Sequence, residues 1–371
     1  MKIAADDLLD LSTGAVFLAT GGGGDPYVAR LVAEQALKTY GPADVIDPES
    51  LADDARVVTI GGVGAPTASL ELLPSLDDAG NALRAFEEHT GYQADALVSF
   101  EIGGANSLIP LIAAVERGLP VVNGDGMGRA LPEAQMMTYP IGGVRPTPAV
   151  AIDYRGRTRS FSTPDIFEYE QEIREFALGH GGMVTACEHP MTGRQLKDTV
   201  VAGTLTFSIA VGALLRERRG NAHAIFGHLG ELFAESIYGE LRHLYTGKIV
   251  DIERRIEGGF DRGVARLEPF DGGGAPLELF IKNEFLLATM DGQVVASVPD
   301  LIVVLDYETS TPINAERLRY GQRVTVLAIG CPDYYRSERA LAVVAPRCFG
   351  FDIDYIELEK LPVPSTSLTD Q

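Results

Sequence analysis

Cysteine is scarce in this chain of 371 residues, and its three cysteines lie far apart. An odd number of widely spaced cysteines offers no disulfide framework, and the paired Cys-x-x-Cys segments of structural zinc sites are missing. This cysteine usage is typical of a reduced compartment, so we expect a cytoplasmic protein.

Positive charge is also in short supply, because 31 Lys and Arg face 52 Asp and Glu, for a formal net charge of -21. An acidic surface repels phosphate, so nucleic acid is not an expected partner. Long apolar runs are missing as well, and the first residues, Met-Lys-Ile-Ala-Ala-Asp-Asp, lack the apolar core of a signal peptide. We therefore expect no membrane association, a small-molecule substrate and a homo-oligomer.

The length of the chain favours two domains. Between residues 56 and 123, short apolar strands alternate with helical segments, which is the pattern of parallel β-α-β units. From about residue 248 onward, period-two runs separated by turn residues predict mostly antiparallel hairpins. The sequence thus predicts an α/β fold, with an N-terminal parallel α/β domain (1–162) and a β-rich α+β C-terminal domain (163–371) that contains a long helix (192–218).

A run of four glycines, Thr20-Gly21-Gly22-Gly23-Gly24-Asp25-Pro26, separates two helical segments. A dinucleotide fingerprint requires a preceding strand and a P-loop ends in Gly-Lys-Ser/Thr, so neither kind of nucleotide site is indicated. Glycines permit close approach of a ligand, and the amides that start the next helix can bind an anion. We predict a substrate-binding loop made of Gly22, Gly23, Gly24 and Asp25. The alternative is a tight interhelical turn in which Asp25 caps the helix.

Three predicted strands of the N-terminal half each lead into a glycine-rich segment. Residues 56–60 precede glycines 61, 62 and 64, residues 96–100 precede Glu101-Ile102-Gly103-Gly104-Ala105-Asn106, and residues 120–123 precede Gly124-Asp125-Gly126-Met127-Gly128-Arg129. Parallel strands bring these ends to one edge of the sheet, where open α/β sheets bind ligands. We expect a shared crevice there, with the substrate-binding residues Gly103, Gly104, Asn106, Asn123 and Arg129.

Carboxylates in this crevice are the candidate catalytic groups. Glu101 and Asp125 form a pair that can share a proton, act as acid and base, or hold a divalent ion, or else each simply caps a following helix. Arg129 suits bidentate pairing with a substrate carboxylate, or neutralises Asp125. The sequence identifies no metal ligand set, and no nucleotide cofactor is expected.

The C-terminal half adds polar residues at the ends of apolar strands. Glu284 is a candidate catalytic residue, and Asn283 and Asp300 are candidate substrate-binding residues of an interdomain site, unless all three are turn residues that face water. The segment Cys187-Glu188-His189 resembles a metal or nucleophile motif. Structural zinc needs a second pair of ligands, however, and residues two apart on a strand seldom reach each other, so ordinary structural roles are favoured.

Short segments spread over nearly the whole chain carry a family resemblance: residues 20–26, Glu101-Ile102-Gly103-Gly104, Gly124-Asp125-Gly126-Met127-Gly128-Arg129-Ala130, Gly258-Gly259-Phe260, Asn283-Glu284, Pro299-Asp300-Leu301-Ile302 and Pro346-Arg347-Cys348-Phe349-Gly350. Together they resemble a bacterial and fungal family named after S-methyl thiohydantoin desulfurase, which is often associated with hydantoinase and oxoprolinase. The resemblance implies an N-terminal α/β domain and a distinct C-terminal domain. Lys282 stands where glutamine is more usual in the family, which leaves the substrate open.

The activity that the resemblance implies is hydrolytic removal of methanethiol from an S-methylated thiohydantoin with an acid side chain. Such chemistry needs an activated water, hydrogen-bond donors for the developing charge and a group that holds the acid. We assign these roles to Glu101 or Asp125, to the glycine-loop amides and to Arg129, respectively. Two alternatives are a nucleotide- and Mg²⁺-dependent ring-opening enzyme and a non-catalytic partner subunit of a hydantoinase or oxoprolinase.

Overall fold

The computed structural model describes residues 1–363 except 66, 67, 69–71, 74, 219, 221 and 271, and the side chains of residues 222 and 223 are likewise left undescribed. The described residues form a mixed sheet with helices and a second, antiparallel sheet, which confirms the predicted fold class. Within these ranges, none of the helices combines the length and the apolar character needed to cross a lipid bilayer.

The first sheet combines parallel and antiparallel strands. In chain order its strands are β1 (Lys2–Ile3), β2 (Ala43–Ile46), β3 (Arg56–Gly64), β4 (Ala96–Ser99), β5 (Val121–Asp125), β6 (Ala149–Ile152), β7 (Thr158–Phe161), β8 (Met183–Thr192) and β9 (Val201–Ala202). The order across the sheet is β1-β2-β5-β4-β3-β8-β6-β7, and β9 pairs with β5. Since β2, β5, β4 and β3 are parallel, the carboxyl ends of β3, β4 and β5 meet at one edge, as predicted.

Helices connect and cover these strands. They are α1 (Leu8–Leu18), α2 (Tyr27–Tyr40), α3 (Asp78–Thr90), α4 (Ile109–Arg117), α5 (Thr138–Ile141), α6 (Ile166–Gly179), α7 (Gly193–Thr199), α8 (Thr204–Glu217), α9 (Ala222–Ala234) and α10 (Glu338–Val344). Helices α3 and α4 are the crossovers between β3, β4 and β5. Helix α8 packs tightly on α1, since a Cβ at Gly212 would overlap the backbone of Asp10. The two helix backbones can approach this closely because residue 212 has no side chain.

The second sheet consists of strands that all pair antiparallel. They are β10 (Leu241–Glu257), β11 (Phe260–Glu268), β12 (Leu277–Lys282), β13 (Glu284–Met290), β14 (Gln293–Ser297), β15 (Leu301–Asp306) and β16 (Arg323–Ile329), in the order β14-β13-β12-β11-β10-β16-β15. Side chains alternate between its faces. Leu286 and Val303 join the core of the first sheet, whereas Phe285 and Val304 belong to a second core.

Two segments differ from the sequence prediction. Residues 61–64 continue β3 instead of forming a loop, because β8 pairs with them from Gly61↔Ala186 to Gly64↔Met183. The single long helix predicted over 192–218 is wrong, since β9 separates α7 from α8. Val200 and Val201 are β-branched residues that disfavour helix, and Gly203 adopts φ +84° before α8 begins.

The glycine run lies between the two sheets. The carbonyl of Thr20 accepts from the Phe285 N–H (2.7 Å), and that of Gly23 accepts from the Ala105 N–H (2.9 Å). A Cβ on Gly22 would overlap the Glu284 carboxyl, and one on Gly23, at φ +70°, would overlap the backbone of Gly103. The run is therefore glycine-rich because neighbouring chain fills the space that side chains would take.

Candidate functional site

A cavity of about 200 Å³ opens at the carboxyl edge of the first sheet, between residues 62–64 of β3 and the start of β13. An engineered protein cavity of about 150 Å³ holds benzene, so this one has room for a small ring compound. The predicted site residues that line it are Gly23, Gly24, Glu101, Asn106, Asn283 and Glu284.

Glu101 follows β4 and is held by a short hydrogen-bonded chain. Asn106 donates to Glu101 Oε1 (2.8 Å) and accepts at its own Oδ1 from the Gly62 N–H (2.7 Å), which fixes the orientation of the amide. The Leu131 N–H donates to Glu101 Oε2 over 3.3 Å. The side chain is buried, and burial raises the pKa of Glu101 to about 8 despite these hydrogen bonds.

Glu284 enters the cavity from the second sheet. It follows Asn283, which alone connects β12 to β13 and adopts φ +60°, a conformation that asparagine tolerates better than most residues. Asn283 is tied to β11, because its Oδ1 accepts from the Asp261 N–H (2.9 Å). The tight turn therefore holds Glu284 in a fixed position, where its side chain is buried at 2 % exposure.

Glu101 and Glu284 form a buried carboxyl pair at the contact between the two sheets. Burial raises the pKa of Glu284 well above its usual range, and the neighbouring Glu101 charge raises it further. The Oε2 atom of Glu284 has no hydrogen-bond donor among the described residues. Two carboxyls in such surroundings cannot both ionise easily, so the pair holds a proton near neutral pH.

Asp125, the other predicted member of a carboxylate pair, holds the loop that follows β5. Its Oδ1 accepts from the N–H groups of Met127 (2.6 Å) and Gly128 (2.7 Å). Burial raises its pKa to about 6, and the nearby Thr204 hydroxyl moderates the rise. Asp125 lies outside the cavity lining. Its hydrogen bonds hold the loop that follows β5.

Arg129 and Asp300 connect the two sheets and the C-terminal segment. Arg129 is fully buried, and its guanidinium donates to the carbonyls of Pro299 (2.7 Å) and Asp300 (2.8 Å) and to the Thr20 hydroxyl (2.7 Å). The Asp300 carboxylate accepts from the Cys331 and Leu358 N–H groups, both at 2.9 Å. Both side chains are thus engaged by other parts of the fold and lie outside the cavity lining, although the charge of Arg129 is close enough to lower the pKa values of Glu101 and Glu284, which burial raises.

Further predicted residues are held in local structure. Asn123 accepts at Oδ1 from the Thr206 N–H (3.2 Å) at the start of α8, and Asp25 accepts at Oδ1 from the Tyr27 N–H (2.9 Å) at the start of α2. Asp25 also pairs with Arg317 through Nε at 2.8 Å. The helix-cap alternative is therefore the arrangement observed for Asp25. Gly103 and Gly104 pack against the glycine run, outside the cavity lining.

Several charged residues of the cavity wall are missing from the sequence prediction. Glu170 and Arg174 of α6 pair with each other at 2.5 Å, and Glu133 pairs with Lys282. Glu188 of β8 also lines the cavity. Glu133 follows the glycine segment after β5 by four residues, whereas Glu170, Arg174 and Glu188 lie far from the glycine segments in sequence and reach the site through α6 and β8. Glu170 and Arg174 are four residues apart on a helix, and this spacing was the one sequence feature that could have predicted their ion pair.

The Cys187-Glu188-His189 segment is wholly buried. Burial raises the pKa of the Cys187 thiol well above its usual range, and all three cysteines of the chain are free. His189 lies against the Tyr139 ring, with its Nδ1 3.1 Å from Glu188 Oε1. Over the described ranges, no group of three Asp, Glu, His or Cys side chains is arranged to hold a metal ion.

The described residues thus form a two-domain α/β fold with a cavity at the carboxyl edge of the first sheet, lined by several acidic side chains. Family models described as "S-Me-THD-like, N-terminal domain" and "S-Me-THD-like, C-terminal domain" match residues 6–163 and 164–358, respectively. The chain therefore belongs to the S-Me-THD-like family, and the resemblance noted from its motifs is confirmed.

The crystal structure of a protein from Chromobacterium violaceum is similar to this chain, with a TM-score of 0.78 and 22 % sequence identity. The match covers 96 % of this chain and 100 % of the other. At this identity the likeness concerns the fold alone. No curated protein matches the chain.

Proposed function

We propose that this protein is a small-molecule hydrolase that acts on a hydantoin-like ring and releases a thiol by attack of water. The observation that supports the proposal is that two buried carboxyls, Glu101 and Glu284, line the same cavity of ring size. When the pair holds a single proton, its ionised carboxyl can act as a general base and its protonated carboxyl as a general acid at the same place.

The pair accounts for each proton in the hydrolysis of an S-methyl thiohydantoin. The ionised carboxyl takes a proton from water as oxygen bonds to the ring carbon that bears sulfur, and the protonated carboxyl gives its proton to the ring nitrogen. The C–S bond then breaks, the sulfur leaves with the first proton as methanethiol, and the hydroxyl proton returns to the second carboxyl. The ring gains a carbonyl, and the pair returns to its starting state.

The remaining cavity wall suits a flat, mostly apolar ring. Phe100, Ile109 and Met127 line it beside the carboxyl pair, and exclusion of water strengthens the interaction of the carboxyls with the reacting atoms. Arg174, the cation in the described lining, donates to Glu170 and to the Pro132 carbonyl (2.9 Å). The proposal therefore concerns the ring and leaves its substituents open.

The glycine run gives no support to the nucleotide-dependent alternative. Its carbonyls bind the second sheet and residue Ala105, and the start of α2 is capped by Asp25. At the start of α2, the Asp25 carboxylate already accepts from the Tyr27 N–H, and its negative charge would repel a phosphate. In the hydrolase proposal the glycine run binds no ligand, and its role is to pack against Glu284 and hold that side chain in place.

The test is release of methanethiol from an S-methyl thiohydantoin by the purified full-length chain, followed with a thiol reagent. The wild type should turn over without added nucleotide, and Glu101→Gln should lose at least about 10²-fold in kcat, the usual contribution of a general acid or base. Asp78→Asn is the matched control, because it removes one negative charge from the same cavity wall at a partly exposed site. A wild type without thiol release, or a fully active Glu101→Gln variant, would refute the proposal.

A further inference from the structure

Glu188 is a third buried acid of the cavity wall, beside Glu101 and Glu284, that has no Lys or Arg partner among the described residues. Three other acids of the wall are paired: Glu133 with Lys282, Glu170 with Arg174 and Asp153 with Arg157. Glu188 is 1 % exposed, and its Oε2 accepts a hydrogen bond from the Tyr169 hydroxyl of α6. Its Oε1 has no hydrogen-bond donor among the described residues.

The contact of Glu188 with His189 does not satisfy Oε1. The His189 Nδ1 atom lies 3.1 Å away, but neither ring nitrogen of this fully buried histidine makes a hydrogen bond within the described residues. A buried oxygen without a donor destabilises the folded state, and more so when it is charged. Such a cost is retained where a ligand supplies the missing donor.

A β-bulge begins directly after Glu188 on β8. Val57 pairs with Met191 and Thr59 with Glu188, so that Val58 alone lies opposite two residues of β8. Bulges of this kind re-aim side chains and are frequent beside active sites. His189, within the bulge, adopts φ +47°, which is rare for a residue with a side chain. The positive φ and the unpaired oxygen thus belong to adjacent residues of β8, of which Glu188 lines the cavity.

We propose that Glu188 is a ligand-binding residue whose Oε1 accepts a hydrogen bond from a ring N–H of the substrate. The inference rests on the proposed function and adds a preference for substrates whose ring carries an N–H group. Two residues of the cavity lining, Glu188 on β8 and Glu284 on β13, each keep one carboxyl oxygen without a donor among the described residues, so the site favours rings that carry nitrogen. Alkylation of the N–H that faces Glu188 removes the donor and places a methyl group against a carboxylate.

The test is equilibrium binding, which needs no turnover. Hydantoin, 1-methylhydantoin and 3-methylhydantoin are titrated by calorimetry into the full-length wild type, Glu188→Gln and the control Asp78→Asn. For one of the two methylated rings, the wild type and the control should bind at least about tenfold more weakly than they bind hydantoin. In Glu188→Gln this penalty should shrink to less than about threefold, because the charge-assisted hydrogen bond is already lost.

Equal methylation penalties in the wild type and Glu188→Gln would overturn the assignment, and so would a wild type that does not bind hydantoin. If Glu188→Gln does not fold, Glu188→Asp gives the same test, since it withdraws the carboxylate by one methylene. Thiol release measured separately distinguishes the two claims. An active enzyme with equal penalties removes the role of Glu188 and leaves the hydrolase proposal intact.

Discussion

Gly22 and Glu284 are in direct contact, although 262 residues separate them in the sequence. A Cβ atom at residue 22 would occupy the position of Glu284 Oε1. The glycine run therefore fixes a carboxyl of the cavity from the outside. This relationship explains how a helix-to-helix loop bears on the site without itself binding phosphate.

Gly22→Ala should impair activity more than stability. The added methyl meets the end of a side chain and not backbone, so the fold can yield while the Glu284 carboxyl moves away from its position. Misplacement of a reacting group by about 1 Å can cost about 10²-fold in rate. We expect a loss of kcat of that order with a nearly unchanged thermal midpoint.

The control for Gly22→Ala is Gly227→Ala on α9, where an added Cβ meets nothing within 4 Å. Its kcat should equal that of the wild type. A fully active Gly22→Ala variant would show that the contact with Glu284 has no bearing on the reaction.

The stability of the protein should fall as pH rises from about 5 to about 8. Burial raises the pKa of Glu101 from 4.5 to about 8, so in this range the folded state keeps a proton that the unfolded state has lost. Its contribution is fully present below the unfolded pKa and is lost as pH rises through the folded pKa. One proton gives a slope of at most about 1.4 kcal/mol per pH unit in the free energy of unfolding.

Urea denaturation across this pH range measures the slope directly. Glu101→Gln should flatten it, because glutamine does not titrate, whereas Glu88→Gln at an exposed position of α3 should leave it unchanged. A wild type whose stability rises steadily from pH 5 to 8 would mean that Glu101 is ionised throughout.

Arg129→Lys should destabilise the protein without changing substrate affinity. Lysine cannot reproduce the fork that joins Pro299, Asp300 and Thr20, and hydrogen bonds from charged groups contribute about 1.5–3 kcal/mol each. The free energy of unfolding should drop by at least about 2 kcal/mol, while KM for the S-methyl thiohydantoin stays the same. Arg255→Lys, on the exposed part of β10, serves as control with a shift below about 0.5 kcal/mol. A raised KM with wild-type stability would instead place Arg129 in contact with substrate.

The parallel part of the fold was predictable because its signals are local. Strands β3, β4 and β5 are short apolar runs separated by helices, and the glycine segments that follow β4 and β5 correctly indicate the edge at which the cavity opens. Glu101, Asn106 and Glu284 could be predicted as site residues from the sequence because each follows a strand or a sharp turn. Their proximity to each other depends on the contact between the two sheets.

The rest of the site depends on tertiary structure. Strand β8 shows little period-two alternation, because most of its residues are buried on both faces, and its antiparallel insertion beside β3 has no local signal. Glu188 and Arg174 reach the cavity only through that insertion and through α6. Likewise, Arg129 and Asp300 resembled ligand-binding groups, since a buried charge that anchors the fold has the same sequence signature as one that binds a substrate.

The most direct test of the account compares thiol release by Glu101→Gln, Glu284→Gln and the double variant, each shown to be folded by circular dichroism. If the two carboxyls act as one acid–base pair, each single variant should lose at least about 10²-fold in kcat, and the double variant should be little worse than the poorer single one. A double variant within about threefold of wild-type kcat would contradict the account.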